Sequence, residues 1–188
     1  ELYYDDDNLP ESILAAAAAM GLPNFDRCLA FHSLSKRSNL PGLRSGFVAG
    51  DANLMAKYLS YRTYHGCALG AHHQAASALA WQEEAHVVEN RQMYRDKFVA
   101  VSEILRPHYN LTQPEGGFYH WLPTPISDQE FSQRLLAEQH ITVMPGSFLG
   151  RDSELGNPGN NHVRIAWVAP FDQCIEAAKR LAQFAQNL

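Results

Sequence analysis

The stretch SLSKRSNLPGLRSGF gathers hydroxyls, cations and glycines directly after an apolar run. Ser33 and Ser35 supply short hydroxyl donors, and the guanidinium of Arg44 can bind two phosphate oxygens at once. Gly42 and Gly46 would let the backbone approach a ligand closely. These residue types indicate a phosphate-binding site, although the same types also suit an ordinary solvated turn.

Lys36 lies inside this stretch and has no evident role towards a nucleotide, because the G-x-x-x-x-G-K-[ST] order of a Walker loop is absent. At the end of a buried strand its amine would lose hydration and become nucleophilic towards a carbonyl. A lysine of that kind beside a phosphate-binding serine and arginine describes a site for pyridoxal 5'-phosphate (PLP). The neighbouring Arg37 is expected to lie at the surface or in an interface.

Composition restricts the classes of function that this chain can have. Of its 188 residues 46% are hydrophobic and 19% charged, as in an ordinary globular protein. The formal net charge of -5 argues against non-specific nucleic-acid binding, and no apolar run is long enough to span a bilayer. Cys28, Cys67 and Cys174 are widely spaced and predict buried thiols in a reducing compartment, so we expect a cytoplasmic protein. No cysteine or histidine group has zinc-site spacing, and we predict no metal.

The elements that must position the lysine stretch alternate between helix and strand. An alanine-rich stretch at 11–21 predicts a short helix, and helical spacing recurs over 53–66. Residues 26–34 predict a buried strand and residues 46–51 a second one. Residues 71–107 contain no glycine or proline before their last residue, which predicts one long helix or two abutting helices.

The second half of the chain has the pattern of a compact α+β unit. YNLTQPEGGFYHWLP predicts a turn followed by an alternating strand, in which Tyr119 and Trp121 are expected to be core aromatics. The next helix opens with Asp128 as its cap, and Ser127 is the other candidate cap. ITVMPG and HVRIAWV predict two further strands, and an amphipathic helix from Phe171 closes the chain. The fold class is therefore α/β, with a domain boundary inside the long helix and domains at 1–92 and 93–188.

The lysine stretch resembles the signature of the class I/II PLP-dependent aminotransferases, S-x-S-K followed by P-G-x-R-x-G. The spacing from Lys36 to Arg44 fits that family. FHSLSKRSNLPGLRSGFVAGD is particularly similar to the bacterial N-succinyldiaminopimelate aminotransferases, and PEGGFYHW, VMPGSFLG and HVRIAWV follow in family order. The resemblance covers nearly the whole chain. It implies the C-terminal part of a fold type I PLP-dependent transferase, with the end of the large domain followed by the small one.

The resemblance also implies a role for each candidate residue. Lys36 would carry PLP and move the proton between the substrate and the cofactor. Ser33 and Arg44, with Ser35 as a further candidate, would bind the cofactor phosphate. Arg164 would bind the α-carboxylate of the substrate, whereas the residues alone favour an arginine at a strand edge paired with a nearby acid.

The function implied is transfer of an amino group between glutamate and N-succinyl-2-amino-6-oxopimelate, in lysine and diaminopimelate biosynthesis, by a cytoplasmic homodimer. One alternative is an aminotransferase for aspartate, alanine or an aromatic amino acid. Others are the PLP-sensing domain of a transcription regulator and an inert dimerisation fragment. We expect no nucleic-acid or membrane partner.

The family also uses a D-x-x-Y element, shortly before the lysine, whose aspartate pairs with the cofactor ring. Asp5, Asp6 and Asp7 resemble the turn that follows this element, so we expect the element itself upstream of Glu1. On this basis the 188 residues would be a C-terminal portion that is inactive alone.

Overall fold

The computed structural model describes residues 2, 4, 8–66 and 68–188. The turn predicted at Asp5, Asp6 and Asp7 and the thiol predicted at Cys67 lie outside the described residues. The chain divides into two compact units, Glu1–Arg91 and Gln92–Leu188. We describe each unit by itself, and the assignment of domains 1–92 and 93–188 remains a prediction.

Over its described residues the first unit combines helices with one pair of strands, as the sequence pattern predicts. Ser12 begins the first helix by accepting a hydrogen bond from the Ala15 backbone N–H, and Asp51 caps the third helix through the N–H groups of Asn53 and Leu54. The elements are α1 (Ile13–Ala19), β1 (Leu29–Ser33), α2 (Leu34–Arg37), β2 (Gly46–Gly50), α3 (Ala52–Tyr64), α4 (Ala71–Gln82) and α5 (Ala85–Leu105), the last of which runs into the second unit.

Strands β1 and β2 pair antiparallel, with Ser33 opposite Gly46, so both ends of the lysine stretch are fixed by one ladder. A side chain at Gly46 would place its Cβ 2.4 Å from the His32 carbonyl oxygen, and glycine is therefore required there. The predicted burial of β1 is wrong, because only Ala30 of that strand is buried and Phe31 is 64% exposed.

Residues 71–107 form two helices rather than one. The Glu83 carboxylate accepts hydrogen bonds from the backbone N–H groups of Ala85 and His86, at 2.7 and 3.2 Å. A side chain that satisfies the free N–H groups of a helix start favours a new helix at that point. Glu83 therefore separates α4 from α5.

The second unit is a three-stranded antiparallel sheet covered by helices, in the strand order β3-β5-β4. Alternation along β3 turns His120 and Leu122 into the core, while Trp121 is 42% exposed and Tyr119 half-buried on the other face. The prediction that Tyr119 and Trp121 are core aromatics is therefore wrong. The elements are β3 (Tyr119–Pro123), α6 (Asp128–Gln139), β4 (Met144–Pro145), β5 (His162–Ala166) and α7 (Phe171–Ala185).

The core of this unit lies between the sheet and its helices, and α7 turns one apolar face towards it. Its large fully buried apolar side chains are Phe98, Val101, Leu105, Leu122, Phe131, Leu135, Val163, Leu181 and Phe184. Cys174 is buried as predicted, whereas Cys28 in the first unit is only half-buried.

The start of α6 distinguishes between the two predicted caps. The Ser127 hydroxyl accepts a hydrogen bond from the Glu130 N–H at 3.2 Å, so Ser127 is the N-cap. Asp128 lies inside the helix, and its carboxylate has different partners. The prediction of Asp128 as the cap is wrong. Its carboxylate instead accepts hydrogen bonds from Ser147 and Asn161.

In the part of the chain that the structure describes, no helix combines the length and the apolar composition needed to cross a membrane. Among the same residues, no group of three or more histidine, cysteine, aspartate or glutamate side chains could hold a metal ion.

Candidate active site

Lys36 lies in the single helical turn α2, directly after strand β1. The Ser33 hydroxyl begins this turn by accepting a hydrogen bond from the Ser35 N–H at 3.1 Å, and Leu34 is fully buried beneath it. Lys36 itself is exposed, so the predicted loss of hydration at this amine is not seen in the described chain. The turn presents the lysine outwards from a buried anchor.

Two hydroxyls lie beside the lysine on the same turn. The Ser33 and Ser35 oxygens are 2.9 Å apart, and the Ser33 hydroxyl is also 3.3 Å from the Ser45 carbonyl oxygen. Arg44 follows at the end of the same stretch, with its side chain exposed and one guanidinium N–H donated to the Pro41 carbonyl at 2.7 Å. A guanidinium has five N–H donors, so others remain to bind an anion.

The backbone conformation of Arg44 is unusual for a residue with a side chain. Its φ of 49° lies in the left-handed region, at the end of the short turn Pro41–Leu43 and just before β2. Such a conformation costs about 1 kcal/mol or more for a residue other than glycine.

The paired hydroxyls of Ser33 and Ser35 and the guanidinium of Arg44 lie in one short segment. Together they fit the donor set that a phosphate monoester requires.

Arg37 is buried, which corrects the expectation that it lies at the surface or in an interface. Its guanidinium points away from solvent and towards the end of α4, where it donates to the Ala80 carbonyl at 2.8 Å. These two residues are 43 positions apart, so no local pattern could have revealed the contact.

Arg164 lies on β5, the central strand of the second unit. Its guanidinium carbon is 4.6 Å from the centre of the Tyr119 ring, and Trp121 and Met144 are its partners on the neighbouring strands. No carboxylate within the described ranges forms an ion pair with it. The alternative of an edge arginine paired with an acid is therefore not supported by the described residues.

Aromatic side chains line the face of the sheet next to this arginine. The rings of Trp121 and His162 are stacked, with centroids 5.5 Å apart and planes 10° apart. A Cβ added at Gly146 would lie 2.8 Å from the Trp121 ring, so the indole fills the space that glycine leaves. A guanidinium on such a face can bind a planar carboxylate through two parallel hydrogen bonds.

Asp128 supports the chain just before β5, and sequence reasoning missed this role. Its side chain is 4% exposed, and it accepts hydrogen bonds from the Ser147 N–H at 2.9 Å, the Ser147 hydroxyl at 2.6 Å and the Asn161 N–H at 3.2 Å. Burial alone would raise the pKa of this carboxyl, but the hydrogen bonds outweigh burial and the pKa is lowered. The carboxylate thus ties the turn after β4 to the residue just before β5.

The predicted site residues fall into both units. Ser33, Ser35, Lys36 and Arg44 lie in one stretch of the first unit, and Arg164 lies in the second.

Comparison with protein families gives a match over most of the chain. The profile of the family described as aminotransferase class I and II matches residues 5–181.

Individual relatives cover nearly all of this chain. It is 35% identical over 183 residues to the 4-dedimethylamino-4-oxo-anhydrotetracycline transaminase OxyQ of Streptomyces rimosus, covering 95% of this chain and 47% of that protein. It is 30% identical over 187 residues to an LL-diaminopimelate aminotransferase of Maridesulfovibrio salexigens, covering 97% and 45%. The chain thus spans about half the length of the curated relatives it matches.

Solved structures give the same pattern. An aminotransferase from Neisseria meningitidis superimposes with a TM-score of 0.92 at 47% identity, over 97% of this chain and 47% of that one. A probable N-succinyldiaminopimelate aminotransferase from Thermus thermophilus gives a TM-score of 0.80 at 28% identity, over 97% and 46%. The similarity therefore extends through both units.

Proposed function

Because this chain belongs to the class I and II aminotransferases, a PLP-dependent family, we propose that it supplies the lysine and anion-binding residues of such an enzyme. The observation that carries the proposal is the arrangement of Lys36 on a turn whose two serine hydroxyls are 2.9 Å apart, with Arg44 exposed at the end of the same stretch. The role proposed for Arg164, in the second unit, is supported by the family match.

In this proposal the hydroxyls of Ser33 and Ser35 and the guanidinium of Arg44 bind the cofactor phosphate. Lys36 holds the cofactor through its amine, and then accepts and returns the proton of the substrate α-carbon. PLP, when bound, supplies an electron sink for that carbon. Arg164 binds the substrate α-carboxylate and fixes its orientation.

For the substrate we propose glutamate as the amino donor and N-succinyl-2-amino-6-oxopimelate as the acceptor, in lysine and diaminopimelate biosynthesis. The amino-acid sequence of the lysine stretch supports this proposal. Two similar proteins, whose names specify diaminopimelate or its succinyl derivative, also support it. A second candidate is a transaminase for a different oxo compound, because the similar OxyQ protein is named for a tetracycline precursor.

We propose that the whole protein is a cytoplasmic homodimer and that the 188 residues do not catalyse amino transfer alone. The proposal of inactivity is supported by the chain's coverage of only about half of its relatives.

The experiment uses the full-length protein that contains this chain, in the parent form and with Lys36→Ala. After incubation with PLP and reduction with borohydride, the parent should gain the mass of one reduced cofactor on the peptide that contains residue 36. The Lys36→Ala variant should gain none there and should lose amino transfer from glutamate. Lys57→Ala, at an exposed lysine on α3, is the control and should behave as the parent.

Full amino transfer by Lys36→Ala would contradict the proposal. The substrate is tested separately, by comparing kcat/KM for the succinylated acceptor with that for free oxo acids. A higher value for any free oxo acid would refute the proposed acceptor and leave the proposed enzyme class standing.

A further inference from the structure

Arg37 is a buried cation next to the proposed cofactor lysine. The residue is 5% exposed, although burying a guanidinium is costly unless hydrogen bonds and an opposite charge compensate. The lysine beside it, at position 36, is exposed. One turn of helix thus carries an outward amine and an inward guanidinium.

Two of the guanidinium's partners are carbonyls at the C-terminal end of α4. It donates to the Ala80 carbonyl at 2.8 Å, to the Trp81 carbonyl at 3.4 Å and to the neighbouring Ser38 hydroxyl at 3.1 Å, and it pairs with the Glu84 carboxylate. The last carbonyls of a helix lack partners within the helix and lie at its negative end. Arg37 therefore satisfies groups that would otherwise be left without donors.

The Trp81 ring adds a second type of contact. The guanidinium carbon of Arg37 is 4.9 Å from its centre, and the Phe47 ring of β2 meets the same indole edge-on at a centroid distance of 4.9 Å. Arg37 belongs to the helix that carries Lys36, and Phe47 belongs to the strand that follows Arg44. The end of α4 thus contacts both α2 and β2.

The turn that carries Lys36 needs such an anchor because it is short. Helix α2 has four residues, too few to be stable through its own backbone hydrogen bonds. Its inward side chains are Leu34 and Arg37, three residues apart on one face, whereas Lys36 and Ser35 belong to the other side. Of the two anchors, Arg37 is the one that fixes orientation, because hydrogen bonds are directional and apolar contacts are not.

We propose that Arg37 is a positioning residue for Lys36: by binding the Ala80 and Trp81 carbonyls and Glu84, it holds the turn in the orientation from which the lysine amine reaches the cofactor. This inference rests on the proposed function. It assigns to Arg37 no contact with the cofactor or the substrate.

The test uses the full-length protein as parent and with Arg37→Met or Arg37→Lys. Methionine keeps much of the side-chain volume and removes every donor, whereas lysine restores the charge and some of the hydrogen bonds. The readouts are the rate of covalent attachment at saturating PLP, followed by absorbance, the dissociation constant for PLP and the melting temperature. Arg62→Met is the matched control, since Arg62 also donates to a carbonyl at a helix end, that of His65 at 3.0 Å, but on the exposed helix α3.

We expect Arg37→Met to slow covalent attachment by at least about tenfold, because small displacements of a reacting group have large effects on rate. Arg37→Lys should recover part of the rate, and Arg62→Met should stay within about twofold of the parent. The inference is overturned if Arg37→Met melts at a lower temperature yet attaches PLP at the parental rate, because Arg37 would then be only structural.

If Arg37→Met does not fold, Arg37→Lys decides, and a parental attachment rate in that variant overturns the inference. The proposed function fails in a different way, because a parent protein that does not attach PLP at Lys36 would refute it whatever the Arg37 variants do.

Discussion

Replacing Asp128 with asparagine tests whether this buried carboxylate holds the turns around the strand that bears Arg164. One carboxylate oxygen receives both the N–H and the hydroxyl of Ser147, and the other receives the Asn161 N–H. An asparagine offers one acceptor oxygen and one NH2 group. In either orientation of the amide, its NH2 group faces the N–H of Ser147 or the N–H of Asn161, so two donors meet.

The expected loss follows from these contacts. The bonds that remain change from charge-assisted to neutral, and at least one buried N–H is left without an acceptor, which alone costs about 1–3 kcal/mol. We therefore expect Asp128→Asn to lower the free energy of unfolding of the second unit by about 2–4 kcal/mol near pH 7. For a unit of this size, a loss of about 2 kcal/mol corresponds to a melting temperature lower by about 8 °C or more.

The pH dependence gives an independent check of the sign. Because the folded-state pKa of Asp128 is lowered, its contribution is complete above the unfolded-state pKa, about 3.9, and is lost as the pH falls through the folded-state value. The difference between parent and Asp128→Asn should therefore be large at pH 7 and shrink towards pH 3.

Urea unfolding of the purified protein, followed by tryptophan fluorescence at pH 7 and pH 3, measures both effects. Trp121 and Trp167 report on the second unit. Asp152→Asn makes the same chemical change on an exposed loop and should stay within about 0.5 kcal/mol of the parent. A pH 7 stability of Asp128→Asn equal to that of the Asp152→Asn control would refute the reasoning.

Two further predictions concern the same unit. In the full-length enzyme, Arg164→Lys should raise KM for the amino donor by roughly 10- to 100-fold, because the bidentate contact is lost. Arg180→Lys, at a partly exposed arginine of α7, is the control and should change KM less than about twofold. Equal KM values for the two variants would contradict the role of Arg164. His120 is fully buried and accepts the Trp167 indole N–H at 2.8 Å, and burial, with the charge of Arg106, lowers its pKa to about 4. The unfolded histidine takes up a proton at a higher pH than the folded one. The free energy of unfolding should therefore decrease as the pH is lowered from about 6.5 to about 4, by up to about 1.4 kcal/mol per pH unit. His120→Gln should remove this slope and exposed His108→Gln should not, as measured by urea unfolding.

Local patterns predict much of the fold because the forces behind them act over a few residues. The helix stop at α1 and the alternation of β3 depend on neighbours in sequence. The sequence leaves open whether residues 71–107 form one helix or two, and the structure has two. The cap of α6 is ambiguous in the sequence because Ser127 and Asp128 are both good caps and adjacent. The burial of β1 is not predictable in the same way, because an apolar run does not say which face of a strand is covered.

The candidate site is predictable to the extent that its chemistry is local. The serines, the lysine and Arg44 lie within a single stretch, and the ladder between Ser33 and Gly46 fixes its ends. The supports of the site are not local: Arg37 reaches the end of α4, and Asp128 reaches Asn161, 33 positions away. No pattern within a helix or strand distinguishes these charges from the solvated ones beside them.

Arg37 and Asp128 share a physical logic that locates them once a structure is known. Each is a charge whose burial would be unfavourable unless several hydrogen bonds compensated, and in each case two of the partners are backbone groups. Backbone partners cannot change rotamer, so such a charge restricts the position of the chain more strongly than an apolar contact does. A substitution that keeps the volume but removes the charge should therefore disturb the neighbouring reactive group more than the same change at an exposed charge, and the Arg37→Met and Arg62→Met pair measures that difference directly.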